Sequence, residues 1–65
     1  MNVTINQQPF TLPDAATVQD ALAALAARPP FAVAVNTSFV PRSAYASCAL
    51  HEGDAVEVIS PVTGG

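Results

Sequence analysis

Two bare glycines, Gly64 and Gly65, close the sequence at "SPVTGG". A carboxylate behind two residues without Cβ atoms has the least bulk around it, so protein backbone can approach it closely. The chemistry that suits such an end is chemistry on the carboxylate itself, inside a narrow site on another protein. The alternative is a frayed end with no task, because termini are ordered only where something ties them down. Other reactive side chains are sparse. Cys48 is the one cysteine and His51 the one histidine. A lone cysteine closes no intramolecular disulfide, and Cys/His zinc spacing is absent. Cys48 reads as a small buried residue. His51 reads as solvent-exposed, and Asp54 as a partner for the backbone of a turn. No nucleophile, base and orienting group form a set, which argues against a self-contained enzyme.

Charge narrows the partners. The formal net charge is -3, and Arg28 and Arg42 are the only lysines or arginines. Binding to a nucleic-acid backbone needs several cations, so that class is excluded. With 11% charged residues the surface is unusually neutral, which leaves apolar area exposed or covered by another protein. No stretch approaches the roughly 18 apolar residues of a membrane helix. "MNVTIN" lacks the basic and apolar regions of a leader, and with a single cysteine this points to the cytoplasm. A chain of 65 residues is one domain. It buries a modest share of its surface, and its 51% hydrophobic residues must supply the core. The expected state alone is a monomer that aggregates readily.

The elements that must position the tail follow from periodicity. "NVTIN" alternates, with Val3 and Ile5 on one face, as in a half-buried strand. Gln7-Gln8 is read as a turn, and "PFTL" as the returning strand, with Phe10 and Leu12 on one face and Pro9 near an edge. Thr17 has the character of a helix N-cap, with Asp20 as a shorter version of the capping-box Glu. "VQDALAALAA" is rich in Ala and Leu, the best helix formers. Val18, Leu22 and Leu25 form one apolar stripe. Arg28 is expected in the last turn and Pro29-Pro30 as the stop. "FAVAV" is a third strand, "NTS" a turn and "FVP" a short fourth strand. "RSAYASCAL" is irregular or holds one helical turn. "HEGD" is a turn with Gly53 at positive φ, and "AVEVIS" is the last strand. There Val56 and Val58 face inward, Glu57 and Ile59 outward. The order is an α+β domain, one helix against a mixed sheet.

Three stretches, "VNTSFVPRS" at 35–43, "EGDAVEVISPV" at 52–62 and the terminal Gly64-Gly65, together resemble the β-grasp (ubiquitin-like) sulfur-carrier proteins. The likeness is strongest to the small carriers of bacterial thiamine biosynthesis. It covers nearly the whole chain, since "MNVTINQQPFTL" and "TVQDAL" lie where that family has its hairpin and helix. The resemblance implies a four- to five-stranded mixed sheet packed on one main helix over residues 1–61, followed by a C-terminal tail, 62–65. It also implies a protein co-substrate. In that family an E1-like adenylyltransferase adenylates the terminal carboxylate, here that of Gly65, with ATP and Mg²⁺ belonging to the activating enzyme and no cofactor bound by this chain. A protein persulfide then supplies sulfur, and the resulting thiocarboxylate donates it to thiazole synthase. Val62, Thr63 and Gly64 form the thin lead to Gly65, and Pro61 stiffens the exit. Ile59, on the outer face of the last strand, is a docking candidate that Val62 joins. Phe39 is either core, the favoured reading, or part of that patch. Arg42 is solvated, or a structural or partner contact. Ile59, Arg42 and Phe39 make up the candidate partner-binding face.

Three other functions remain open at this level. The small sulfur-carrier subunit of molybdopterin synthase shares the fold and the Gly-Gly end, and "SPVTGG" looks somewhat like its ending. A ubiquitin-like protein modifier would be conjugated through Gly65. Without lysines it cannot build chains on itself. A passive β-grasp interaction module would not need its tail.

Overall fold

The computed structural model of the protein describes residues 1–60. The expected tail, Val62 to Gly65, and the boundary after Pro61 lie outside the described residues. Two hairpins, one helix and a final central strand make up the fold. Strand β1 (Asn2–Ile5) pairs antiparallel with β2 (Gln8–Thr11). Helix α1 (Val18–Leu25) follows, then β3 (Ala32–Val35), β4 (Ser38–Val40), a 3-10 turn at Arg42–Ala44 and β5 (Ala55–Ile59). The sheet order is β2-β1-β5-β3-β4, parallel only between β1 and β5. The last strand therefore sits at the centre of the sheet, and its end is held by β3 through the pair Ala32–Ile59.

Both hairpins turn on two residues at positive φ, Asn6-Gln7 (52° and 68°) and Asn36-Thr37 (49° and 70°). That geometry matches the right-handed twist of the strands it joins. The first turn lies one residue earlier than the expected Gln7-Gln8. Asn tolerates the left-handed region best among residues with a Cβ, so Asn6 takes the first position and Gln8 is released to the strand. Asn6 also accepts the Val58 N–H through its side-chain oxygen at 2.8 Å. This anchors the turn to the central strand.

The helix begins as expected. The Asp20 carboxylate accepts the Thr17 backbone N–H at 2.8 Å and the Thr17 hydroxyl at 3.2 Å. Its end differs. The helix stops at Leu25, with Ala26 in the left-handed region (φ 57°, ψ 41°) and the Ala27 N–H returning to the Leu22 carbonyl at 3.1 Å. This is a C-terminal turn closed by backbone alone. Arg28 therefore lies past the helix rather than in its last turn. The helix ends before Pro29-Pro30, so those prolines do not cause the stop.

Alternation places the core between sheet and helix. Val3, Ile5, Val33, Val40 and Val56 point inward, against Val18, Ala21 and Leu22 of α1. Leu12, Ala16, Tyr45 and Leu50 close the ends of this layer. Leu25, the third residue of the expected helical stripe, is only half-buried. Cys48 is likewise half-buried, packed against the core rather than inside it. No described helix is long and apolar enough to cross a membrane.

Candidate functional site

The outer face of the sheet is built by strand parity. On β5, Val56 and Val58 point inward, so Glu57 and Ile59 point outward. On β3 the small Ala32 and Ala34 face outward between β5 and β4. On β4 the pair Val33–Val40 fixes Val40 inward, so Phe39 stands outward opposite Ala34. Phe39 is 70% exposed and Ile59 54%. This corrects the reading of Phe39 as core. A large apolar side chain at this exposure is on the surface, paired across the strands with Ala34.

Phe39 and Ile59 thus flank a shallow floor of Ala32 and Ala34, with the Glu57 carboxylate beside them on the same face. The other half of the outer face, on β1 and β2, carries Asn2, Thr4 and Thr11, with Pro9 opposite Thr4. One side of the sheet is therefore divided into an apolar half at the end of β5 and a mainly polar half on β1 and β2. Residue alternation already puts Glu57 on this face. Ala32 and Ala34 escape notice because small residues give no signal of their own.

Arg42 lies elsewhere. Pro41 carries the chain off β4, and Arg42 lines a groove on the helix side with Leu22, Ala26, Phe31 and Tyr45. The three residues grouped as one candidate face are thus divided between two surfaces, Phe39 and Ile59 on one and Arg42 on the other.

The loop that carries β5 into place is fastened by Asp54. Its carboxylate accepts the His51 backbone N–H at 2.8 Å and the Asn36 side-chain amide at 2.9 Å. The Asn36 amide hydrogen bond, the largest cause, and the His51 backbone N–H hold the Asp54 carboxyl below its ordinary value; partial desolvation opposes them. The His51 ring is exposed, with Nδ1 3.7 Å from Asp54. Gly53 turns at φ 85°, where a side chain would be strained. Among the described residues no cluster of three or more His, Cys, Asp or Glu could hold a metal ion.

What this frame offers chemically is presentation. The central strand ends at the rim of an apolar face, and Gly64-Gly65 follow within a few residues of the sequence. The ThiS family model matches residues 3–65, nearly the whole chain and including the terminal Gly-Gly.

The chain belongs to the ThiS family.

Two solved structures agree with that membership. The crystal structure of thiamine biosynthesis protein ThiS from Geobacter metallireducens is similar over 100% of both chains, at 30% identity and a TM-score of 0.82. The solution structure of a thiamine biosynthesis protein from the same organism is similar over 100% of this chain and 87% of that one, at 30% identity and a TM-score of 0.77. No curated protein matches this chain significantly. The five-stranded sheet on one helix is the ubiquitin-like β-grasp fold of ThiS. Membership assigns the role of a small sulfur carrier, a protein that is acted on rather than a catalyst.

Proposed function

We propose that this chain carries sulfur for the thiazole ring of thiamine as a thiocarboxylate on Gly65. The observation that carries the reading is the family match running through residue 65, so that Gly64-Gly65 falls within the ThiS pattern. A carboxylate is a poor electrophile, and its AMP ester is a good one because AMP leaves readily. An E1-like activating enzyme with ATP and Mg²⁺ would supply that ester. A carboxylate oxygen attacks the α-phosphate and pyrophosphate departs. The outer sulfur of a protein persulfide then displaces AMP to give an acyl disulfide. A thiol cleaves that S–S bond by forming a disulfide with the donor's sulfur, and the thiocarboxylate so released delivers its sulfur to thiazole synthase, in the cytoplasm.

The chain's own contribution is docking and reach. Phe39 and Ile59 offer the apolar contact, and Glu57 offers a charge for a donor on the partner. A partner that covers this face meets the end of β5 directly. Gly64 and Gly65 let the partner's backbone close around the carboxylate.

The test is ATP–pyrophosphate exchange with the purified activating enzyme. Exchange is expected to depend on this chain and to vanish when Gly65 is deleted. Exchange that persists without Gly65 would refute the reading.

A further inference from the structure

The helix side carries a second surface. Between the end of α1 and the segment leading into β3 runs a half-open groove of about 550 Å³. Leu22, Ala23 and Ala26 of the helix side line it together with Phe31, Arg42 and Tyr45. The Phe31 and Tyr45 rings stack with centroids 6.0 Å apart and an interplanar angle of 22°. The lining therefore includes a stacked aromatic pair.

The charge here is opposite to that of the rest of the molecule. The chain is acidic, with a formal net charge of -3. No carboxylate lines the groove, yet Arg42 does. One of the chain's two arginines, Arg28 and Arg42, thus lines an otherwise uncharged slot. Neither makes an ion pair among the described residues. The sheet face, in contrast, carries Glu57.

We propose that this groove docks a short segment of a partner protein bearing a carboxylate next to a bulky apolar side chain. The apolar side chain lies against Phe31, Tyr45 and Leu22. The carboxylate meets the Arg42 guanidinium, whose planar fork suits it. Because the groove and the Phe39–Ile59 face lie on opposite sides of the sheet, one partner can hold the groove while another holds the sheet face. This holds whatever becomes of Gly65, so its failure is separable from failure of the sulfur-transfer reading.

The probe is the blocked peptide Ac-ALEFG-NH2, titrated into the isotopically labelled full chain and followed by amide NMR shifts. Shifts are expected at Ala23, Ala26, Phe31 and Tyr45, with Glu57 and Ile59 unmoved. Arg42→Gln is expected to weaken binding by about tenfold, the size of one charge-assisted contact. Ala23→Glu, a helix-compatible change on the exposed side of α1, is expected to abolish it. The peptide with Gln in place of Glu is expected to bind about as weakly as Arg42→Gln. No shifts at millimolar peptide, or equal shifts with the Gln peptide, would overturn the proposal. So would equal shifts with acetate alone, which would make the groove a small-anion site. Groove amides that move when residues 61–65 are removed would assign the groove to the chain's own tail, and would likewise overturn it.

Discussion

Asn36 and Asp54 join two turns that are far apart in sequence. The Asn36 side-chain amide donates to the Asp54 carboxylate at 2.9 Å, while its side-chain oxygen accepts the Ala55 N–H at 2.9 Å. The β3–β4 hairpin and the loop entering β5 are fixed against each other by this pair. Since β5 is the strand that runs into the C-terminal residues of the sequence, the pair sets its register against the β3–β4 hairpin.

Removing the carboxylate should loosen that register. Asp54→Ala is expected to cost roughly 1–3 kcal/mol, as the Asn36 amide and the His51 N–H lose a charged acceptor. Urea denaturation at neutral pH measures it.

The same carboxylate makes stability depend on acid. Its folded pKa lies below the ordinary value, chiefly through Asn36. The contribution is therefore fully present above the unfolded carboxylate value, about 4, and is lost as pH falls through the lower folded value. Urea midpoints between pH 7 and pH 2 are expected to fall less steeply in Asp54→Asn than in the parent. Parallel curves would exclude the assignment.

Thr37 is a β-branched residue at φ 70°. Left-handed backbone costs such a residue roughly 1–2 kcal/mol. Its hydroxyl donates to the Asn36 carbonyl at 2.5 Å, which offsets part of that cost. Thr37→Gly is expected to raise stability by about 0.5–1 kcal/mol. A drop in the midpoint would show that the hydroxyl contact outweighs the strain.

Ile5, at 0% exposure, lies under the sheet against α1. Ile5→Ala is expected to cost about 2–5 kcal/mol, a large share of what a domain this small possesses. Thermal circular dichroism should show a lowered or lost transition.

Ile59→Asp and Phe39→Asp change exposed side chains on the outer face. Stability is expected to stay within about 0.5 kcal/mol of the parent. The KM of the activating enzyme for this chain is expected to rise by roughly tenfold or more. An unchanged KM would remove the sheet face from docking.

The elements were legible where side-chain period and backbone need agree. β1 and β5 alternate cleanly, and Thr17 with Asp20 marks the helix start. The misplaced features share one cause, a residue whose type does not announce its conformation. Ala26 adopts the left-handed region that ends the helix, and nothing in an alanine signals that. Asn6 outcompetes Gln8 for the turn by tolerance of positive φ, a small preference beside the visible Pro9. Phe39 reads as core by size, and only its register against Val33–Val40 and Ala34 shows that it faces out. The groove at Arg42 brings together the ends of α1 and β4 and the start of β3, a juxtaposition that exists only once the sheet order is known. The pattern "VNTSFVPRS" with a Gly-Gly end was enough to identify the family, because it combines a hairpin, a chain exit and a terminus in one short domain.

The central claim concerns one atom on Gly65. The most direct measurement is the intact mass of the protein isolated from its own cell before any thiol treatment, with the C-terminal peptide mapped. The expected result is a population in which one oxygen at Gly65 is replaced by sulfur. Only the free carboxylate, both from the cell and after incubation with the activating enzyme, ATP and a sulfur source, would contradict the account.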